Sequence, residues 1–408
     1  MTTFSKTPLS KAVRAAAITG GIALTSTAAF AAYQEITVDN PFAAITSSGT
    51  FPSIVMTDLD ADGDLDALIL HSNATGVSPY FGTSAVWENT GSASAPEFTQ
   101  VRNQDNPSYG TGENITLNPF VDDFTGYYGH PVTAADYDQD GDLDFFGGQA
   151  SAADSNNQLA FYRTQSDAYG VATGADRFGI YEGRDNTATP SAGNPFYGTQ
   201  FLPSAGTNYS YGSVAVGDLN RDDAVDVIST DINNMRLFMN AGVDTSPYGG
   251  FNIFNEVSGA ASPLENVSNG YGAFGTAYYG APITLHDVDN DGDLDLIMGT
   301  RFPAPMRLFR NIGTASTADF EEVINTSRGI DVTSSGWAFP AFADMDNDGD
   351  ADLIVIALDA FNSNAQSIRY FENTTPRGTT PAASSSGGTM SFGGLMIALG
   401  LLLTRRRK

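Results

Sequence analysis

Five copies of one acidic nonapeptide constrain this chain more than any other feature. They read DLDADGDLD at 58–66, DYDQDGDLD at 136–144, DLNRDDAVD at 218–226, DVDNDGDLD at 287–295 and DMDNDGDAD at 344–352, and are numbered here as loops 1 to 5. Each has an oxygen-bearing side chain at positions 1, 3, 5 and 9, and four of the five have Gly at position 6. Carboxylates this close together repel one another unless a cation lies among them. A solvated acidic turn is the alternative, but one spacing kept five times favours a metal site.

The donor set indicates which metal such loops bind. Hard divalent cations with about six to eight oxygen ligands suit clustered carboxylates, and Ca²⁺ tolerates irregular geometry better than the strictly octahedral Mg²⁺. Gly at position 6 allows the positive φ that a tight turn around an ion requires. The sequence therefore predicts one Ca²⁺ per loop, about five in all.

An EF-hand shares the acidic start of this pattern, but it needs a bidentate Glu at position 12 and a helix on each side. The segments that flank the loops are short and rich in Val, Ile and Leu, as in Ser53–Met56 before loop 1 and Ala67–Leu70 after it. Such runs are typical of strands, so we expect each loop to be the turn of a β-hairpin. Glu is absent from position 12 in all five copies, which have Ile69, Gly147, Ser229, Met298 and Val355 there.

Two further strands follow each predicted hairpin. The third strand ends in Asn in four copies and in Thr in the second: Val86–Asn89, Phe161–Thr164, Leu237–Asn240, Leu308–Asn311 and Tyr370–Asn373. A fourth strand follows in the first four copies, at Phe98–Val101, Phe178–Ile180, Phe251–Phe254 and Phe320–Val323. Four strands per repeat predict an all-β protein, a β-propeller of four-stranded blades.

The last repeat lacks a fourth strand, because the chain becomes a polar linker after Thr375. An unassigned strand-like segment, Tyr33–Phe42, stands at the other end and ends in Asn-Pro-Phe, as does Ile115–Phe120 before loop 2. A first strand that completes the last blade would join the two ends and remove exposed sheet edges. We therefore predict five blades closed by the N-terminal strand.

These repeats resemble the FG-GAP/VCBS repeat, known from the propellers of integrin α-subunits. The resemblance covers most of Tyr33 to Thr375, and Gly280-Ala281-Pro282 belongs to it. The chain has five recognisable copies where integrins have seven, so integrin ligand recognition is not carried over.

The resemblance implies that side chains at loop positions 1, 3, 5 and 9 and the backbone carbonyl at position 7 bind Ca²⁺. In order of position, the implied ligands are Asp58, Asp60, Asp62, Asp64 and Asp66 in loop 1; Asp136, Asp138, Asp140, Asp142 and Asp144 in loop 2; Asp218, Asn220, Asp222, Ala224 and Asp226 in loop 3; Asp287, Asp289, Asp291, Asp293 and Asp295 in loop 4; and Asp344, Asp346, Asp348, Asp350 and Asp352 in loop 5.

Both ends of the chain indicate export. Residues 1–31 have Lys6, Lys11 and Arg14 before an apolar stretch that ends in Ala29-Phe30-Ala31, which is typical of a signal peptide with its cleavage site. The propeller is predicted at 32–376, a Ser/Gly/Pro-rich linker at 377–390 and an apolar segment with a basic end at 391–408. This tail resembles the GlyGly-CTERM sorting signal of Gram-negative bacteria, with a weak membrane anchor as the alternative. We expect a secreted or cell-surface protein that meets the C-terminal sorting machinery, and the membrane only through this segment before processing.

Composition limits the partners of the exported domain. Cys is absent, so metal ions must provide any cross-links. Removal of three basic residues at the N-terminus and four at the C-terminus leaves 12 of 19 basic residues against 47 acidic ones, a net charge of −35. A surface this acidic disfavours nucleic acid and anionic membranes.

No catalytic constellation is found. The histidines His71, His130 and His286 lack zinc-site spacing, and no nucleophile elbow or phosphate loop is present. The preferred hypothesis is a non-catalytic calcium-binding adhesion module for a glycan or an extracellular protein; the alternative is a secreted carbohydrate-active lyase or hydrolase on a propeller scaffold. Aromatic residues in the Gly-rich segments between repeats suit either sugar stacking or packing between blades: Tyr109, Tyr127, Tyr128, Tyr197, Tyr209, Tyr211, Tyr271, Tyr278, Tyr279 and Trp337.

Overall fold

The computed structural model describes residues 32–45, 50–58, 62–72, 82–101, 132–137, 143–148, 159–163, 181–182, 213–230, 235–243, 252–265, 267, 281–299, 305–314, 316–323, 336–359 and 365–375. The predicted signal peptide, linker and C-terminal segment lie outside these residues. So do His130, every tyrosine of the aromatic set, and the implied ligands Asp60, Asp138, Asp140 and Asp142.

Twenty strands occur in the described residues, and they form five four-stranded sheets. Four sheets are consecutive in sequence: β2 Thr50–Thr57, β3 Asp66–Ser72, β4 Gly82–Asn89 and β5 Phe98–Val101; β6 Val132–Ala135, β7 Asp144–Gly148, β8 Leu159–Arg163 and β9 Tyr181–Glu182; β10 Ser213–Gly217, β11 Asp226–Thr230, β12 Met235–Val243 and β13 Asn252–Val257; β14 Ile283–His286, β15 Asp295–Met298, β16 Arg307–Asn311 and β17 Phe320–Glu322. The other has the order β1-β20-β19-β18, with β1 Tyr33–Glu35, β18 Ala338–Ala343, β19 Asp352–Asp359 and β20 Ala365–Asn373. An all-β fold of four-stranded propeller blades is therefore confirmed.

Each acidic loop is the turn between the first and second strands of a sheet. Position 9 begins the second strand and pairs with the residue just before the loop, as in the register pairs Thr57↔Asp66 and His286↔Asp295. The second strands are apolar and buried on both faces, as in β15, where all four residues are buried. Continuous apolar runs therefore mark the middle of a blade.

The N-terminal strand pairs with the last one. β1 lies antiparallel to β20, with Tyr33 opposite Asn373 and Glu35 opposite Phe371. The strand is shorter than the predicted Tyr33–Val38. After Ile36, whose N–H still donates to the Tyr370 carbonyl, the backbone turns at Asp39, where φ is 62°. A short 3-10 helix at Pro41–Ala44 follows.

The prediction for one strand falls outside the described residues. The fourth strand of the second sheet is Tyr181–Glu182, whereas the sequence interpretation was Phe178–Ile180, which is outside the described residues. In the described strand, Tyr181 pairs with Arg163 and Glu182 with Tyr162. Sequence pattern does not determine that register over a two-residue strand.

Cores form between neighbouring sheets. One cluster joins β2–β5 to β18–β20 and includes Phe42, Trp87 and Ile356. Others join the sheets of loops 2 and 3, 3 and 4, and 4 and 5. The first strands lie against one another in the series β2, β6, β10, β14, β18 and back to β2. This arrangement brings the acidic loops to the same edge of successive sheets.

Candidate calcium sites

The backbone of each well-described loop wraps around its first carboxylate. In loop 4, Asp287 Oδ1 accepts from the Asp291 N–H at 3.1 Å and Oδ2 accepts from the Gly292 N–H at 2.8 Å. The same pair of contacts is made by Asp58, Asp218 and Asp344. This turn needs left-handed backbone at position 6, where φ is 100° at Gly63, 91° at Gly292 and 93° at Gly349. Sequence reasoning assigned the Gly correctly.

Loop 3 keeps this geometry without the Gly. Its position 6 is Asp223, with a φ of 66°. A left-handed conformation is strained for a residue with a Cβ, although Asp tolerates it better than most. At position 3, Asn220 replaces a carboxylate with an uncharged amide. This amide donates to the Asp222 carboxylate at 3.0 Å. Both features favour weaker metal binding at loop 3.

The carboxylate at position 9 is buried in every loop. Asp66, Asp144, Asp226, Asp295 and Asp352 are at most 2% exposed. In loop 4, Asp295 Oδ2 accepts from the Val288 N–H at 3.0 Å and Oδ1 accepts from the Asn311 N–H at 2.8 Å. Loops 3 and 5 repeat both bonds. Position 9 therefore ties the loop to the third strand, and in loop 4 its carboxylate also belongs to the acidic cluster.

The Asn that ends the third strand has a role that sequence reasoning missed. Asn311 Nδ2 donates to the Leu294 carbonyl at 3.3 Å, while its Oδ1 accepts from the N–H groups of Gly313 and Asp319. Asn89 likewise accepts from Gly91 and Glu97. The side chain thus fixes both the loop and the turn into the fourth strand. The repeated Asn-x-Gly at 89–91, 240–242 and 311–313 is the signal that could have revealed this role.

Loop 4 brings three predicted ligands together. Each of Asp287, Asp289 and Asp295 offers a carboxylate oxygen within 4.8 Å of the others. Burial raises the pKa of Asp287 to about 6 and that of Asp295 to about 8, and it also raises the pKa of Asp289. Clustered, desolvated carboxylates are costly without a cation among them.

Asp289 supplies the observation that tests the metal interpretation. Its side chain is fully buried; Oδ2 forms an ion pair with Arg310, whereas Oδ1 accepts no hydrogen bond of normal geometry. Buried polar atoms without hydrogen bonds are rare and indicate a missing partner. An oxygen-coordinated divalent cation is such a partner, so the loop 4 residues fit Ca²⁺.

Loop 5 forms a similar cluster. Asp344, Asp346 and Asp348 each offer an oxygen within 4.8 Å of the others. Burial raises the pKa of Asp352 to about 7, and its Oδ2 accepts from the Tyr370 hydroxyl at 2.8 Å. In this loop the position 9 carboxylate is therefore occupied by protein donors, and positions 1, 3 and 5 form the open part of the site.

The remaining described candidates have structural contacts. His286 stacks on Phe342, with ring centroids 4.4 Å apart, and burial lowers the pKa of its imidazole to about 4. Trp337 is half-buried and stacks on Phe339 at 6.3 Å. Packing between strands accounts for both rings. Calcium coordination by the implied ligands, both the side chains at positions 1, 3, 5 and 9 and the position 7 carbonyls, stays a prediction.

Comparisons with known proteins agree with the repeat. Residues 267–355 match the family model of the FG-GAP-like repeat. The matched segment contains all of loops 4 and 5. No curated protein matches the chain. Among solved structures, the chain is similar to a Bacteroides thetaiotaomicron VPI-5482 protein described as a "putative glycosidase", with a TM-score of 0.39 and 10% identity over 84% of this chain and 97% of that one. A likeness this distant carries no argument about activity.

Proposed function

We propose that this protein is an exported, calcium-stabilised propeller that binds a glycan or an extracellular protein without catalysis. The observation that carries the calcium part is the loop 4 cluster, in which the carboxylates of Asp287, Asp289 and Asp295 lie together and the buried Oδ1 of Asp289 lacks a hydrogen bond of normal geometry. The same loop backbone recurs in loops 1, 3 and 5. A FG-GAP-like match over 267–355 also supports extracellular calcium binding.

We also propose that the five sheets make up the complete ring and that β1 closes it. The pairing of β1 with β20 and the contact of β18 with β2 support this arrangement. A closed ring presents the loop edge of every blade on one face, which suits recognition of an extended ligand.

Export rests on the predicted signal peptide and C-terminal sorting segment. Among the described residues, no helix has the length and apolarity required to cross a bilayer. The strongly acidic domain suits a neutral glycan or a basic protein surface better than an anionic partner.

The calcium part is tested by thermal unfolding. Ligands that bind only the folded state at about a hundred times their Kd add roughly 2.7 kcal/mol per site. We expect EGTA to lower the melting temperature strongly, and we expect Ca²⁺ but not Mg²⁺ to restore it. An unchanged melting curve after verified metal removal contradicts calcium stabilisation.

The binding part is tested on a glycan array, with calcium and with EGTA. Binding that is lost in EGTA supports the proposed function. Release of sugar fragments from polysaccharides by the same preparation would instead support the carbohydrate-active enzyme. If neither glycan binding nor fragment release is observed, the search turns to protein ligands.

A further inference from the structure

Loop 4 contains a positively charged side chain among its predicted calcium ligands. Arg310 lies on β16, directly before the Asn311 that ends the third strand, and its guanidinium is partly exposed. Its Nε forms an ion pair with Asp289 Oδ2, and its Nη2 lies 3.2 Å from Asp291 Oδ2. Asp289 and Asp291 are positions 3 and 5, two of the four side-chain ligands expected for one ion.

We propose that Arg310 is a built-in counter-ion of loop 4: it holds the carboxylates of Asp289 and Asp291 in the calcium-free protein and competes with Ca²⁺ for them. This proposal rests on the calcium function proposed above. Loop 4 then binds calcium more weakly than its five carboxylates suggest, and it depends less on calcium for its folded conformation.

The physical reason is the closeness of the two cations. A calcium ion bound through the same oxygens would lie a few ångströms from the guanidinium, where like charges repel strongly near a protein surface. Calcium must therefore displace Arg310 or bind beside it against this repulsion. Both routes lower the affinity, because the ion pair with the fully buried Asp289 is lost in one and opposed in the other.

The repeat supplies its own comparison. The residue before the third-strand Asn is Arg310 in the loop 4 blade but Glu372 in the loop 5 blade, at the same place relative to Asn311 and Asn373. The other blades have Glu88, Arg163 and Met239 at this position. Loop 5 has the same acidic positions, and its blade has a negative rather than a positive residue at the equivalent strand position. We infer that this strand position contributes to the difference in calcium affinity between loops 4 and 5.

A second arginine provides a control for charge alone. Arg221, at position 4 of loop 3, lies against Gly292 and forms an ion pair at 2.8 Å with Asp293 of loop 4. Asp293 is implied to bind calcium only through its carbonyl. Arg221 has a φ of 58°, and loops 4 and 5 have Asn290 and Asn347 in the same conformation. Arg221→Asn therefore removes a nearby charge, keeps the backbone and spares the ligand carboxylates.

The test is a calcium titration of the intact chain labelled with ¹⁵N-glycine, in which the amides of Gly292 and Gly349 report loops 4 and 5 separately. In the wild type, Gly292 should respond at higher calcium than Gly349. Arg310→Met should lower the Gly292 midpoint by about tenfold or more and leave Gly349 unchanged, while Glu372→Arg should raise the Gly349 midpoint by a similar factor. Arg221→Asn should shift the Gly292 midpoint by less than about threefold, because Arg221 pairs with Asp293, whose carboxylate is not an implied ligand.

Thermal unfolding in EGTA gives a second, metal-free readout. Arg310→Met should lower the melting temperature of the calcium-free protein, since it leaves Asp289 and Asp291 without their cation. An unchanged Gly292 midpoint in Arg310→Met, or an equal shift in Arg221→Asn, overturns the counter-ion role but not calcium binding. If neither the Gly292 nor the Gly349 amide responds to calcium in any variant, both the counter-ion role and calcium binding are overturned.

Discussion

At the scale of single residues, the five aspartates at position 9 have a structural role in addition to their predicted role as calcium ligands. Each was predicted as a calcium ligand, and each is also buried, with backbone N–H groups of the loop and the third strand as donors in loops 3, 4 and 5. Only a carboxylate accepts on both sides, because an amide presents a donor on one of them. Position 9 therefore has a structural role that does not depend on a bound metal ion.

Two substitutions in loop 5 separate these roles. Asp352→Asn should destabilise the protein by about 1–3 kcal/mol with or without calcium, because one buried N–H loses its acceptor. Asp348→Asn, at an exposed position 5, should leave stability in EGTA nearly unchanged and reduce only the stabilisation by calcium. Urea unfolding in EGTA and in excess calcium measures both. Equal effects of the two variants in EGTA would show that position 9 has no separate structural role.

The buried carboxylates also predict how stability depends on pH in a chelator. Burial raises the pKa of Asp226 and Asp352 to about 7 and that of Asp295 to about 8. An unfolded Asp has a pKa of about 3.9, so the folded state binds more protons between about pH 4 and pH 8. Stability in EGTA should therefore fall as the pH rises through this window.

Calcium should reverse that dependence, because the ion favours the ionised carboxylates that protons would neutralise. Melting temperatures measured at pH 5 and pH 8, with EGTA and with excess calcium, give the four values required. A calcium-free protein that is more stable at pH 8 than at pH 5 would refute the prediction.

At the scale of strands, three blades share one side-chain arrangement. An Arg on the third strand makes two hydrogen bonds with a Glu on the fourth and lies over the Phe two residues on: Arg236 with Glu256 and Phe238, Arg307 with Glu322 and Phe309, and Arg369 with Glu35 and Phe371. In the last blade the Glu comes from the N-terminal strand. β1 therefore fills the same place as β13 and β17.

This arrangement predicts a measurable link between the two ends of the domain. A double-mutant cycle of Glu35→Ala and Arg369→Ala should give a coupling of about 0.2–1 kcal/mol, the usual range for partly exposed ion pairs. The cycle of Glu322→Ala and Arg307→Ala, within one blade, should give a similar value. Glu321→Ala, which changes an exposed residue beside Glu322, serves as the control and should show no coupling to Arg307. No coupling at Glu35 alongside normal coupling at Glu322 would refute the equivalence of β1.

The segment after the fourth strand is also repeated. In Asn40-Pro41-Phe42, the Asn side chain accepts from the Phe42 N–H, and Phe42 is buried against Phe98 and Tyr370. In Ser262-Pro263-Leu264, the Ser side chain accepts from the Leu264 N–H, and Leu264 is buried between the sheets of loops 3 and 4. Asn-Pro-Phe also occurs at 118–120 and 194–196. At both described positions, a buried apolar residue that follows Pro therefore packs between two blades.

At the scale of the whole molecule, the first and last described residues meet. The Ala32 carbonyl accepts from the Thr374 N–H at 2.8 Å, and the Ala32 N–H donates to the Thr375 hydroxyl at 2.7 Å. With β1 in place, β20 is paired on both sides, and Phe42 is buried in the core shared by the first and last sheets. Loss of β1 would leave β20 as an edge strand and open the ring.

Deletion of residues 32–39 should therefore cause aggregation or broad unfolding, whereas removal of 381–408 should leave a soluble, folded domain. A circular permutant that starts at residue 46 and carries residues 32–45 after Thr375 through a short Gly linker should fold, because it restores β1 next to β20. Size-exclusion chromatography and thermal melting compare the three. A deletion that melts like the intact domain would contradict ring closure by β1.

The sequence determined the features that depend on local spacing. The five acidic loops, their place between paired strands, four strands per blade and the left-handed turn at position 6 all follow from residues close together in the chain. Hairpin turns and strand alternation are local properties, so their pattern is readable before folding. The pairing of Tyr33–Glu35 with β20 was also predicted, because an unpaired strand at each end leaves few arrangements.

Only the tertiary structure decided which groups distant in sequence contact those loops and one another. Only the folded chain brings Asn311 within hydrogen-bond distance of Asp295, Arg310 to Asp289, Arg221 to Asp293 and Arg369 to Glu35. These contacts depend on strand register and on which blades are neighbours, and a register shift of one residue would turn each side chain to the other face. The sequence therefore specifies which oxygens could hold an ion, while the packing of strands and blades sets which of them are buried, which are already paired with protein donors, and which face a competing arginine.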